Sequence, residues 1–362
     1  MIMSRTLRRR PTHLRRTVDP LLAGWDAPKP KPRRHPLGSV LVQRGQNQST
    51  RPPAFWPAPK PQSPKREKEK KGKEYYKTNN TIKNVGLFDL TPFSKFEIKS
   101  DKAHQELQRI CTANIKKDVG KCTYTHMLNS DGGIETDLTI VAIDENHFRI
   151  ISSAATRERD KHHIKKHLNK DIELKDVTDD YCVFGLFGPK SRNLLSSLSK
   201  DNFDNENFKF GTAKFISIED IKIWTQRLSY VGELGYELYV EAKDAKKIYE
   251  LIIEKGKDYN LSNCGMHAMD IMRMESGFLH WGHDISPEEN LYQAGLSFTI
   301  SNKKNVDFIG KSALEKINNE KIKTRFAMFT LKDSKPGEPL LLHDEPIYLE
   351  DKIIGRSTSG NY

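Results

Sequence analysis

Apolar and polar residues alternate with period two through "THMLNSDGGIETDLTI", Thr125 to Ile140. Ile134, Leu138 and Ile140 fall on one face of that pattern, and Glu135, Asp137 and Thr139 on the other. Asn129-Ser130-Asp131-Gly132-Gly133 is turn chemistry, so the spacing predicts a strand that leaves a tight turn with a carboxylate on its polar face. Taken alone, the stretch is accounted for by a solvated polar face. Elsewhere the pattern changes period. "VGLFDLTPFSKFEI" predicts two short strands around a turn at Thr91-Pro92, and "KAHQELQRICTANI" places Leu107, Ile110 and Cys111 at helical spacing. "HFRIIS" is a strand, and "SAATRERDKHHIKKHL" then begins a helix. "YCVFGLFGPKSRNLLSSL" and "RLSYVGELGYELYVEAKDAKKIYELIIEKG" each run from strand through turn to helix. The alternation lacks the regular rhythm of a doubly wound parallel sheet, which predicts an α+β fold. After Phe308, "RFAMFTL", "PLLLHDEPIYLE" and "KIIGRSTSG" read as short strands of a small β domain.

Charge changes this picture at one end only. The net charge of +12 belongs to residues 1–77, where 20 Lys and Arg face 5 Asp and Glu, a net of +15. The other residues carry 40 against 43, a net of −3, so nucleic acid is not expected as a partner. Twelve of the 18 prolines lie in residues 1–64, and "KREKEKKGK" is a solvated charge run. Residues 1–77 are therefore read as a disordered basic segment. "MSRTLRRRPTHLRRTV" is Arg-rich and poor in acids, like a mitochondrial presequence, but Pro11 interrupts the amphipathic helix such a signal needs. The expected location is cytoplasmic, with the mitochondrial matrix as the alternative. Cys111, Cys122, Cys182 and Cys264 have no CxxC spacing, so four free thiols and no zinc site are expected. No apolar run approaches the ~20 residues of a membrane span.

The second informative run is "LSYVGELGYELYV", Leu228 to Val240. Gly232 and Gly235 interrupt a strand-like stretch and leave Tyr230, Glu233 and Glu237 near a bend where backbone can approach a ligand. A carboxylate there can accept two hydrogen bonds from a planar amino-heterocycle; a hairpin with surface glutamates is the alternative. Together the two runs resemble the folate-binding fold of the aminomethyltransferases, as in the glycine-cleavage T-protein. They are still more similar to the C-terminal half of dimethylglycine and sarcosine dehydrogenases. The resemblance runs from about Val85 to the end, and "ATRERD", "GLFGPKSRNLL", "MDIMRMESGFLHWGHDISPEENLYQAGLSF" and "FIGKSAL" are further landmarks.

The resemblance implies roles. Asp137 matches the catalytic aspartate, which steadies charge or takes a proton near the folate nitrogens. Tyr124, Tyr230 and Glu237 match residues that position the pterin, and a backbone contact falls near Ile151. Met269 stands where T-proteins carry an arginine, and Arg273 matches a structural arginine expected to pair with Glu275 or Asp270. His280, His283 and Asp284 look like a metal cluster; the family uses none, so buried, hydrogen-bonded histidines are expected. The domains implied are 1–77, a folate-binding domain over 78–304, and an incomplete, barrel-like β domain over 305–362. The implied function is a tetrahydrofolate-binding one-carbon transfer unit of a dimethylglycine or sarcosine dehydrogenase-like protein, forming 5,10-methylenetetrahydrofolate. The alternatives are a T-protein-like aminomethyltransferase or other folate-dependent demethylase, and a non-catalytic, truncated module of the same fold. No GxGxxG turn occurs, so FAD is expected only through a missing domain or a flavoprotein partner.

Overall fold

The structure, a computed structural model, describes residues 39–43, 76–319, 322–332 and 341–361. Its strands run in chain order from β1 (Ser39–Gln43), β2 (Val85–Asp89) and β3 (Ser94–Lys99) to β4 (Cys122–Leu128), β5 (Ile134–Asp144) and β6 (His147–Ser152). They continue with β7 (Leu174–Asp176), β8 (Tyr181–Phe187), β9 (Ala213–Ile218), β10 (Ile221–Gln226) and β11 (Gly235–Glu241). The last are β12 (Leu261–Cys264), β13 (Phe326–Thr330), β14 (Pro346–Leu349) and β15 (Lys352–Asn361). They form a five-stranded sheet in the order β4-β5-β6-β3-β7, a six-stranded sheet β12-β2-β8-β11-β10-β9 and a four-stranded sheet β13-β1-β15-β14. The described pairings are antiparallel except β12 with β2, so the fold is a mixed α and β structure of several sheets.

Strand alternation decides which face of each large sheet is apolar. In the five-stranded sheet, Phe96, Ile98, Leu138, Ile140, Phe148 and Ile150 form one face. That face is covered by Leu107 and Ile110 of the helix Ala103–Ile110 and by Ile164 of the helix Arg157–His167. In the six-stranded sheet, Ile223, Tyr236, Leu238 and Val240 pack against Leu194 and Leu195 of the helix Ser191–Leu198 and Ile248 and Ile252 of Ala245–Gly256. Each such aliphatic side chain contributes about 1.5–3 kcal/mol when fully buried. The remaining faces of the two sheets meet in a third cluster that includes Val141, Val183, Trp224 and Tyr239, with Met269 and Met272 of the helix Met266–Glu275. This inter-sheet layer is where polar side chains gather.

Two expectations change. The segment 1–77 lies mostly outside the described residues, but Ser39–Gln43 within it is a strand, paired antiparallel with both β13 and β15. The short run "SVLVQ" is rich in β-branched residues, and its proline-rich flanks hid it. The four-stranded sheet thus draws a central strand from far earlier in the sequence than its neighbours. The helix Lys311–Asn319, which the reading passed over, seals a further cluster with Leu314 against Leu128, Ile134, Ile285 and Leu291.

Candidate functional site

The turn before β5 is built by Asn129. Its side-chain oxygen accepts the backbone N–H of Asp131 at 3.0 Å and of Gly133 at 2.9 Å. Gly132 takes a φ of +83°, and a Cβ on Gly133 would stand 1.9 Å from the Pro287 carbonyl oxygen. A glycine pair is therefore required by the turn and by the loop above it. Trp281 then pins the start of β5, donating its indole N–H to the Ile134 carbonyl at 3.0 Å, and Arg159 pairs with Glu135. From this fixed start Asp137 takes the face opposite Leu138 and Ile140, as the alternation predicted, but that face lies in the inter-sheet layer and not in solvent.

Cross-strand register gathers the neighbours. His126 lies opposite Asp137, and Thr139 lies opposite both Tyr124 and Ile151, so all five share one face of the five-stranded sheet. Asp137 Oδ1 is 3.6 Å from His126 Nε2, which lies 3.2 Å from the Tyr124 hydroxyl. Burial raises the Asp137 pKa to about 7, the Tyr124 hydroxyl draws it down, and the charge of Asp160 pushes it up. Its side chain stays 17% exposed, so it is desolvated without being sealed off. Tyr124 is 38% exposed, and its ring stacks on Phe298 at a centroid distance of 6.4 Å. Burial, then the neighbouring Asp137, holds the Tyr124 hydroxyl well above its ordinary value, so it stays protonated.

Glu237 faces this group from the six-stranded sheet. It lies opposite Gly185 in β8 and Gln226 in β10, so no side chain crowds it on one flank. Burial raises its pKa to about 7, while the Tyr239 hydroxyl, donating to Oε2 at 3.2 Å, pulls the other way. Contacts between the sheets place the two groups in one layer. Cys122 of β4 reaches the Gln226 side-chain oxygen at 3.8 Å, and the Arg149 guanidinium of β6 lies 4.3 Å from the Tyr181 ring centroid and 5.4 Å from that of Tyr239. Arg149 is held by Glu97, which accepts from its Nη2 at 2.6 Å. Burial works against the Glu97 charge, but hydrogen bonds from His147 and Arg149 outweigh it and hold the pKa near 2. Tyr230 closes the loop before β11. Its hydroxyl donates to the Leu279 carbonyl at 2.7 Å and its ring stacks on Phe278 at 5.9 Å, so the hydroxyl is already committed to the protein.

Three details depart from expectation. Gly232 and Gly235 serve protein packing: at φ +72° a Cβ on Gly232 would meet Ser276 Oγ at 2.0 Å, and one on Gly235 would meet the Leu228 carbonyl oxygen at 2.6 Å. His283 is exposed rather than buried, because it sits on a loop above Asp284 and packs its ring on His280 at 4.5 Å. Asp284 is buried, but as a hydrogen-bond hub: it accepts from Arg273 at 2.5 Å, Thr358 at 2.5 Å and Ser359 at 2.8 Å. Arg273 also pairs with Asp270, one of its two expected partners. Among the described residues no group of His, Cys, Asp and Glu is arranged to hold a metal, and the four cysteines are free thiols.

Residues 39–304 match the GCVT N-terminal domain, a stretch that opens at β1. The chain belongs to the GCVT family. It is 38% identical over 279 residues to a formaldehyde-forming 4-methylaminobutanoate oxidase of Paenarthrobacter nicotinovorans, covering 77% of this chain and 34% of that protein. It is 33% identical over 295 residues to the mitochondrial dimethylglycine dehydrogenase of Rattus norvegicus, covering 80% and 34%. An aminomethyltransferase of Halothermothrix orenii is 32% identical over 280 residues, covering 76% of each chain. The chain thus spans about a third of the length of the oxidase and dehydrogenase relatives. The fold is that of the glycine cleavage system aminomethyltransferase T from Bartonella henselae, with a TM-score of 0.61 at 21% identity over 68% of this chain and 66% of that one.

Reduced folate is the ligand that membership in the GCVT family implies, and the residues present fit it. Glu237 uses one oxygen on Tyr239, leaving the other for donors of an amino-heterocycle. The Tyr124–Phe298 pair offers an open aromatic surface for a flat ring. Of the residues singled out in the sequence, Asp137, Tyr124 and Ile151 share one sheet face and Glu237 and Tyr230 come from the facing sheet and its loop; His126, Tyr239 and Phe298, which contact them, were not singled out. Alternation could have supplied two of these, since His126 follows Tyr124 by two residues and Tyr239 follows Glu237 by two.

Proposed function

We propose that this chain is the tetrahydrofolate-binding one-carbon transfer unit of a dimethylglycine or sarcosine dehydrogenase-like protein. The observation that carries the reading is the pair of carboxylates, Asp137 and Glu237, directed into one inter-sheet layer and each raised to about 7 by burial. A group poised near neutral pH both takes and returns a proton efficiently. Glu237, Tyr124, Tyr230 and the backbone at Ile151 hold and orient the pterin. Asp137 steadies positive charge beside the reacting nitrogens and exchanges the proton released there. Tetrahydrofolate, when bound, supplies the nitrogens that accept the carbon, and the product is 5,10-methylenetetrahydrofolate. The substrate class is an N-methyl amino acid, in line with the names of the relatives. Its oxidation belongs to a flavin domain or partner.

Calorimetric titration with a reduced folate tests the reading, alongside one-carbon capture by wild type and Asp137→Asn. Saturable binding with capture lost in the variant is expected; absence of binding, or capture unchanged in Asp137→Asn, sinks it. The coverage shared with an aminomethyltransferase supports a second reading, transfer from a lipoyl-borne aminomethyl group. Buried Met269, at the position where the family's T-proteins were expected to carry arginine, speaks against it. Turnover of an aminomethylated lipoyl carrier protein would reverse that preference.

A further inference from the structure

We propose that His126 is a positioning residue which keeps the exchangeable proton on Asp137, acting through a ring tautomer fixed by Thr299. Thr299 has one hydroxyl hydrogen, and it is donated to the Leu296 carbonyl at 2.8 Å. Its oxygen lies 3.1 Å from His126 Nδ1 and can only accept there, so Nδ1 carries the ring hydrogen. His126 is fully buried, and desolvation lowers its pKa to about 3, so the ring holds a single hydrogen at neutral pH. Nε2 is therefore a bare lone pair.

That lone pair faces two more acceptors, the Tyr124 oxygen at 3.2 Å and Asp137 Oδ1 at 3.6 Å. Tyr124 brings one hydrogen for this trio. When Asp137 is ionised, the Tyr124 hydroxyl satisfies either the imidazole or the carboxylate and leaves the other facing a lone pair. A proton on Asp137 supplies the second hydrogen, and the series runs from Asp137 through Tyr124 to Nε2 with each acceptor matched. A hydrogen bond that requires the neutral acid favours the neutral acid. The other groups acting on Asp137 do not undo this. Asp160, from the helix Arg157–His167, adds negative charge, and Arg159 beside it is engaged with Glu135. Tyr230, across the layer, has committed its hydroxyl to Leu279.

The proposal rests on the reading of Asp137 as the proton-exchanging group, but its test needs no folate. Infrared titration of the full chain follows the protonated carboxyl band that Asp137→Asn removes. In wild type the band should titrate near pH 7. Thr299→Val deletes the acceptor for Nδ1, frees the ring to carry its hydrogen on Nε2, and lets it donate to the carboxylate. The midpoint should then fall by about one pH unit, a tenfold loss of proton affinity. An unchanged midpoint overturns the proposal. Nitrogen NMR of the histidine-labelled wild-type chain reads the tautomer without any substitution. An unprotonated Nε2 is expected, and a protonated one defeats the idea even if Thr299→Val fails to fold. Failure of reduced folate to bind in calorimetry would remove the proposed function while leaving both of these outcomes readable.

Discussion

Tyr239 donates its hydroxyl to Glu237 Oε2 across 3.2 Å, from two residues further along the same strand face. The bond stabilises the charged form of a carboxylate that burial raises to about 7. In Tyr239→Phe that support is gone and the Glu237 pKa rises further, so at pH 7 a larger fraction is neutral. Reduced-folate affinity should fall several-fold at pH 7 and recover as the pH is raised by one to two units, by about the net worth of one charge-assisted hydrogen bond. Calorimetry at pH 7 and pH 8.5 separates this from a loss of packing, which would persist at both.

Asp137 sets function against stability. Its folded pKa near 7 lies above the unfolded carboxylate value, so the folded state holds a proton that the unfolded state has lost. Stability from this group is undiminished below about pH 4, declines as the pH rises towards 7, and is flat beyond. Asp137→Asn removes the penalty. At pH 8 the variant should be more stable by on the order of 2 kcal/mol, less than the full shift implies because the side chain remains partly open to solvent. One-carbon capture should fall about 100-fold or more. Thermal melts at pH 5 and pH 8 check the sign: the gain should appear at the higher pH.

The Arg273–Asp284 pair ties β15 to the body, since Thr358 and Ser359 of that strand donate to the same carboxylate. Both charged side chains are almost wholly buried. Asp284→Ala leaves the guanidinium without its deepest partner and should cost about 3–5 kcal/mol. Hydrogen exchange should show β15 losing protection well before β5. Equal loss in both would mean that the pair supports the whole fold.

Flavin chemistry is expected from outside these residues. The sequence has no GxGxxG turn, and hydride removal from an N-methyl group needs an electron acceptor that side chains do not supply. The chain purified from flavin-replete cells should show no visible flavin band and should not oxidise dimethylglycine or sarcosine. A stoichiometric flavin band would refute this.

The alternation set Asp137 on the face opposite Ile134, Leu138 and Ile140 but could not say that this face is covered by a second sheet; only the family resemblance pointed there. Glu237 was no clearer, since the glycine-spaced run alone fits a hairpin with surface glutamates. The meaning of Gly232 was not, since a left-handed bend is equally open to a ligand or to a neighbour such as Ser276, and only tertiary structure says which comes close. His283 was misjudged because loops carry no periodicity from which exposure can be read. Thr299 gave no sequence signal: its role depends on a contact with a histidine 173 positions away.

The position of β1 has a temporal consequence. The five- and six-stranded sheets have all their strands once Cys264 has been synthesised. The four-stranded sheet does not, because residues 39–43 pair with residues 326–330 and 352–361. Its middle strand, residues 39–43, is synthesised well before either of the strands it pairs with. Closing loops of that length is slow, and an unpaired apolar strand is sticky meanwhile. Assembly of this sheet therefore follows that of the other two, and the nascent chain is most in need of a chaperone during that interval.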